Sequence, residues 1–113
     1  MSFVVPAIIR GLGQTYSDGV ERMEIHIAIG FADHLPHEFG HRVPITMSIG
    51  GTQYLAGIRA TINNPYIWIC PDIKSEQGKP KKLAHVLSDA GFNKNDHVSL
   101  TVSGNSVSLS LHS

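Results

Sequence analysis

The chain carries a single cysteine, Cys70, in 113 residues, so no internal disulfide can form and nothing points to an oxidising compartment. Net charge is missing too. Nine Lys and Arg balance nine Asp and Glu, which excludes a protein that grips polyanions by bulk charge; any such role must rest on local placement. No apolar run approaches the roughly 18 residues of a membrane-spanning helix. The apolar opening, Met1–Gly13, is interrupted by Pro6, ended by Arg10 and preceded by no basic segment, so it does not read as a secretion signal. Repeats and low-complexity tracts are absent as well. Together these absences predict a soluble, cytoplasmic protein without a membrane partner.

What is present suits one globular domain spanning residues 1–113. A chain of this size buries about two-thirds of its unfolded surface, and a 42% hydrophobic content supplies the core. Period-two alternation dominates the pattern. Met23, Ile25, Ile27, Ile29 and Phe31 alternate with Glu24, His26, Ala28 and Gly30, as in a strand with one buried face. Val43, Ile45, Met47 and Ile49 alternate with small or polar residues, and Gly50-Gly51 then suits a tight hairpin into Thr52–Thr61. Asn63-Asn64-Pro65 breaks the chain. Tyr66-Ile67-Trp68-Ile69-Cys70 is apolar on both sides and reads as a central strand covered on both faces. Val98, Leu100 and Val102 lead through Ser103-Gly104-Asn105-Ser106 to Val107, Leu109 and Leu111, a further hairpin.

One segment has helical spacing. Pro80 fits the first helical position, Leu83, Val86, Leu87 and Ala90 recur on one face, and Gly91 fits the left-handed position beyond the end. A shorter helix is expected near Pro36–Gly40. With Phe3–Ile9 as a first strand, about seven strands and one or two short helices result, without βαβ spacing. The expected fold class is all-β: a seven-stranded open pseudobarrel, mostly antiparallel.

His37-Glu38-Phe39-Gly40-His41 matches the HExxH pattern in which one helix presents two imidazoles to zinc. Pro36, Gly40 and Pro44 leave room for little more than a turn, so the segment reads as a His-rich connection and no metal is expected. Pro71-Asp72 with Glu76 and Lys79 resembles a PD-(D/E)xK nuclease core, but the last spacing is one residue too long. No phosphate-cradling Gly loop is present, and Cys70 beside Trp68 reads as an inert buried thiol. Neither a catalytic site nor a cofactor is expected in this chain.

Three features point instead to anion and base recognition. Lys79, Lys81 and Lys82 surround Pro80 at the expected helix start, where the dipole disfavours positive charge, and a docked phosphate would relieve that conflict. Gly13-Gln14-Thr15-Tyr16-Ser17-Asp18-Gly19 joins two strands, and Arg59–Asn64 ends another. Both loops hold the residue types that read base edges, although Ser, Asp, Asn and Gly are also ordinary turn residues.

The order strand, polar arm, strand, Leu35-Pro36-His37-Glu38-Phe39, two strands, second polar arm, strand, helix, Asn95-Asp96-His97-Val98-Ser99-Leu100 and closing hairpin resembles the DNA-binding pseudobarrel. That superfamily includes the B-three-type domains of plant transcription factors and the recognition domains of the restriction endonucleases EcoRII, BfiI and the NgoFVII group. Tyr66-Ile67-Trp68-Ile69 leading into Pro71-Asp72-Ile73, and Leu83–Phe92 followed by Asn95-Asp96, carry the likeness over nearly the whole chain. The resemblance implies sequence-specific recognition of double-stranded DNA in a prokaryotic restriction system, with cleavage supplied by a separate nuclease domain or subunit. It places a first arm at Gln14–Arg22, with Gln14, Thr15, Tyr16, Ser17, Asp18 and Arg22, and a second at Arg59–Asn64, with Arg59, Thr61, Asn63 and Asn64, both entering the major groove while a basic rim holds phosphates, the part that the helix-start reading gives to Lys79, Lys81 and Lys82. A related YdeI-like pseudobarrel group shares the Leu35-Pro36 segment and implies the alternative, a small-ligand or protein-interaction barrel.

Overall fold

A computed structural model describes residues 2–111 as one nine-stranded sheet with one α-helix and one 3-10 helix. Seven strands form a ring: β1 (Phe3–Thr15), β2 (Glu21–Ala28), β3 (Arg42–Ile49), β4 (Thr52–Arg59), β5 (Tyr66–Ile69), β8 (His97–Ser103) and β9 (Ser106–Leu111). They correspond to the seven strands expected from the sequence, with several bounds shifted. Around the ring the order is β3-β9-β8-β1-β2-β5-β4, and β4 pairs back to β3 along its full length. All of these pairings are antiparallel except β3 with β9, which join in parallel over Thr46–Ser48. The fold is thus an all-β pseudobarrel.

The inward face of every ring strand is apolar. Ile9, Ile25, Ile27, Met47, Ile58, Ile67, Ile69, Val98 and Leu100 are all fully buried. α1 (Leu83–Asp89) packs chiefly on β2, burying Leu83, Val86 and Leu87, and the chain turns back so that the Phe92 amide bonds the Leu87 carbonyl at 2.8 Å. The 3-10 helix, Ile29–His34, contacts β1, β2 and β5 and buries Ala32.

Two short strands outside the ring, β6 (Asp72–Ser75) and β7 (Pro80–Lys82), were not legible as strands. β5 and β6 run along the same edge of β4, but Ile58 faces Ile69 while Leu55 faces Lys74. Three steps of β4 are therefore matched by five of its partner, and the two extra residues bulge at Cys70-Pro71-Asp72. Pro71 has no N–H to offer a ladder, which suits such a break. Beyond the bulge β6 leaves β2 and takes β7 as its other neighbour. The edge of β2 at Arg22 is left bordering an open space.

Several expectations change in consequence. Pro80 is not the first residue of a helix: Pro80-Lys81-Lys82 is strand β7, α1 begins at Leu83, and the Leu83 amide is already bonded to the Pro71 carbonyl at 2.9 Å. The helix-start phosphate site does not form in that geometry, because pairing with β6 extends the backbone up to Lys82. The strand expected to run through Phe31 ends at Ala28, where the Ile29 amide bonds Pro65 and the chain coils into the 3-10 helix. Pro36–Gly40 is not helical; Glu38 bridges His41 and Phe39 bridges Ala60. β5 is covered on one face only, since Tyr66 and Trp68 stand half-exposed outside the barrel.

Candidate nucleic-acid interface

Because side chains alternate across each strand, the outward residues of paired strands fall into rows. One row runs Arg42, Arg59, Trp68, His26 across β3, β4, β5 and β2, and the next holds Pro44 beside Gly57. Below them β6 and β7 add Asp72 opposite Lys82, and Lys74 opposite Pro80. The splay of β6 away from β2 opens a groove of about 870 Å³ between these elements. Arg22, Arg42, Arg59, Lys74, Lys81 and Lys82 line it, with Asp72 as the single acid. Six of the chain's nine basic side chains, against one of its nine acidic ones, thus share one concavity.

Individual contacts explain how the groove is held. Asp72 takes Lys82 Nζ at 3.3 Å and Arg22 Nη2 at 3.7 Å, which ties β2, β6 and β7 together. Both are exposed pairs, each worth at most about 1 kcal/mol. Arg42 lies flat across β4 where Gly57 offers no side chain; a Cβ there would stand 2.5 Å from the guanidinium. Arg42 Nη2 donates to the Asp72 carbonyl at 3.3 Å. Cys70 lines the groove wall, where burial pushes its thiol pKa up and the charge and hydrogen bond of Arg42 offset that only in part. It is therefore a protonated, poorly nucleophilic thiol at neutral pH.

Beside the cations stands a train of rings. His26 Nε2 meets the buried Glu24 carboxylate at 2.6 Å, its ring stacks on Tyr66 at 4.0 Å, and Tyr66 meets Trp68 edge-on at 5.9 Å.

The first arm is shorter than the sequence suggests and is pinned. Gln14 and Thr15 still belong to β1, and the turn proper is Tyr16–Val20, closed by the Tyr16 amide on the Val20 carbonyl at 2.8 Å. Asp18 meets His85 of α1 at 2.8 Å, and the Val20 amide, ahead of His85, holds its carboxyl below the ordinary value. Lys82 sits 5.1 Å above the Tyr16 ring, and Arg22 Nη1 donates to Gln14 Oε1 at 3.3 Å. At the base of the arm, Glu21 accepts from Lys94 at 3.0 Å and from the Gly13 amide at 2.9 Å. Gly11 leaves room for that pair, since a Cβ there would overlap the Glu21 carboxyl.

The second arm leaves the groove at Arg59 and turns through Thr61–Asn64. Asn64 Nδ2 donates to Thr61 Oγ1 at 2.9 Å, and Asn63 adopts φ +72°. The Gly40 amide bonds Ala60 at 2.8 Å, so the Leu35-Pro36-His37-Glu38-Phe39 segment buttresses this arm.

Of the thirteen residues singled out from sequence, the structure gathers Arg22, Arg59, Lys81 and Lys82 on the groove wall. Gln14 and Tyr16 flank it through their contacts with Arg22 and Lys82, while Asp18 is held by His85 of α1, which does not line it. Thr15, Ser17 and Lys79 are exposed and do not line it, and Thr61, Asn63 and Asn64 lie on the turn beyond Arg59. Sequence reasoning missed Arg42, Lys74 and Trp68, which reach the groove only through register. It also passed over Ile62, 74% exposed between two polar residues at the arm's tip, where a buried role is excluded. The interrupted alternation after Ile58 was the available signal for it.

Among the described residues, no three His, Cys, Asp or Glu side chains gather in metal-binding range, and no helix is long and apolar enough to cross a membrane. Fold and groove together define an all-β barrel with a cationic, aromatic-edged concavity flanked by two polar turns. No family model, curated protein or solved structure matches the chain.

Proposed function

We propose that this chain is a sequence-specific double-stranded DNA recognition domain of a prokaryotic restriction system, acting in the cytoplasm, with cleavage supplied by a separate domain or subunit. The observation that carries the reading is the segregation of charge: a neutral chain places six cations and one acid around one groove. Cations grouped in this way neutralise phosphates and release counterions, which is the main source of affinity for duplex DNA. Arg59 and the turn residues Thr61, Asn63 and Asn64 supply groups that bond base edges, and exposed Ile62 offers an apolar contact to a thymine methyl. On the other flank Gln14, Ser17 and Asp18 do the same.

An anisotropy titration against a randomised duplex pool at two salt concentrations, with sequencing of the bound fraction, tests the reading. A selected site and a steep fall of affinity with salt are expected; binding to no duplex, or salt-independent binding, overturns it. A second reading, a small-ligand barrel, is favoured by the groove's volume, which falls within the roughly 300–1,000 Å³ of small-molecule sites. Saturable binding of a mononucleotide in the absence of any duplex binding would select it.

A further inference from the structure

Arg42 and Arg59 face each other directly across β3 and β4. Like charges opposite one another in a sheet repel, and a carboxylate beside them would relieve the repulsion. Here none relieves them: among the described residues the carboxylate partners of the groove go to Arg22 and Lys82, and neither Arg42 nor Arg59 forms an ion pair. Two arginines that line one groove from directly opposed positions without a counter-charge suit an anion, and their planar forks match phosphate oxygens.

Trp68 is the direct neighbour of Arg59 on the other side, across β4 and β5. Its ring contact is with Tyr66, nearly perpendicular at 65°, while the indole also lines the groove. An anion site one residue from a partly exposed aromatic ring that lines the same groove is a composite that neither a free phosphate nor a peptide carboxylate fills. It matches a nucleotide, whose base and phosphate are held together at that scale. A base still paired in a helix shows its edge rather than its face, so it cannot stack here; it must be unpaired and turned out.

We propose that the groove receives one unpaired nucleotide, its base stacked on Trp68 and its phosphate held between Arg42 and Arg59. The inference rests on the DNA-recognition reading and names what that reading leaves open, the state of the nucleotide that enters the concavity. The first and second turns then flank the duplex from which the nucleotide is displaced.

Trp68 is the chain's one tryptophan, so its emission reports this groove directly. The probes are a fully paired duplex, the same duplex with one unpaired thymidine, and the same duplex with an abasic residue in its place. Anisotropy and Trp68 emission are recorded for each. The unpaired thymidine is expected to bind roughly ten-fold tighter than the other two and to quench Trp68, since base-to-aromatic stacking contributes at that level. Trp68→Phe keeps most of the preference, whereas Trp68→Ala removes it, so that the unpaired-thymidine probe then binds no tighter than the abasic one. Equal affinity for all three probes with unquenched Trp68 overturns the inference while duplex recognition stands. Binding of the unpaired probe alone upholds the inference and removes the duplex reading, and binding of no probe overturns both.

Discussion

Two sides of the same barrel carry opposite surfaces. Across β3, β4, β5 and β2 the outward row is Arg42, Arg59, Trp68, His26; around the other side, across β1, β8, β9, β3 and β4, it is Val4, Thr101, Ser108, Ser48, Gln53. A neighbouring row on the second side, Ser103, Ser106 and Thr46, is all hydroxyl and reaches the rim of the groove at Thr46, next to Leu55 and Lys74. These rows carry no charge with which to attract or repel a partner, and their short Ser and Thr side chains line only a small hollow of about 260 Å³. The groove side has charge, rings and the larger concavity of about 870 Å³. Both sides rest on the same buried residues, so the difference lies wholly in what points outward, and a zero net charge conceals it.

The largest effect expected is one that does not respect the division. Ile69 is fully buried on the inner face of β5, and Ile69→Ala should cost about 2–5 kcal/mol through lost transfer energy and a residual cavity. Urea unfolding followed separately by Trp68 emission and by far-ultraviolet circular dichroism should shift in one coincident transition; two separated transitions would show that the groove side and the hydroxyl side are independently stable.

Next in size is charge reversal. Arg42→Glu combined with Arg59→Glu should weaken duplex binding by at least about 100-fold, because phosphate contacts are lost and repulsion replaces them. Thr101→Glu, on β8 and three strands from β4 around the ring, should change it by less than about two-fold at physiological salt, where exposed charges beyond a Debye length are screened. Equal losses from both substitutions would erase the contrast between the two sides.

Smaller effects sharpen roles within the groove. Arg59→Ala should cost about 1–3 kcal/mol on the selected site and much less on a scrambled duplex, whereas Lys82→Ala should weaken all duplexes alike and lower the salt slope by about one. Parallel losses for Arg59→Ala on both duplexes would remove the second arm from base reading. Gly57→Ala should reduce binding with little loss of fold, because its Cβ displaces the Arg42 guanidinium; unchanged affinity would show that Arg42 has no need of its flat placement.

The smallest effect concerns pH. Lys94, followed by the Gly13 amide, holds the Glu21 carboxyl below its ordinary value of 4.5, so this pair contributes stability that is present above the ordinary carboxylate range and is lost as pH falls through the lowered value. Glu21→Gln should therefore flatten the acid limb of the stability profile below about pH 4.5 and leave the neutral region nearly parallel to wild type. An acid limb of unchanged steepness would show that the first arm is not anchored in this way.

Alternation determined most of the ring strands and their inward faces, because period-two burial is a local property that each strand carries in its own residues, whereas the single covered face of Tyr66–Ile69 was not legible. It also placed the two polar turns, since Gly, Asn and Asp mark chain reversals wherever they cluster. The groove was out of reach by the same logic. Arg42 reaches Arg59, and Arg59 reaches Trp68, only through the pairing of β3, β4 and β5, and residues 42 and 68 have no spacing that announces contact. The bulge at Cys70-Pro71-Asp72 sends β6 away from β2 to β7, and that pairing keeps Lys81 and Lys82 extended where local spacing favours a helix start. Tertiary hydrogen bonding to a distant strand outweighs the weak local preference of a few residues, so which side chains point outward was written in the sequence, and which of them meet was decided by the register of the closed sheet.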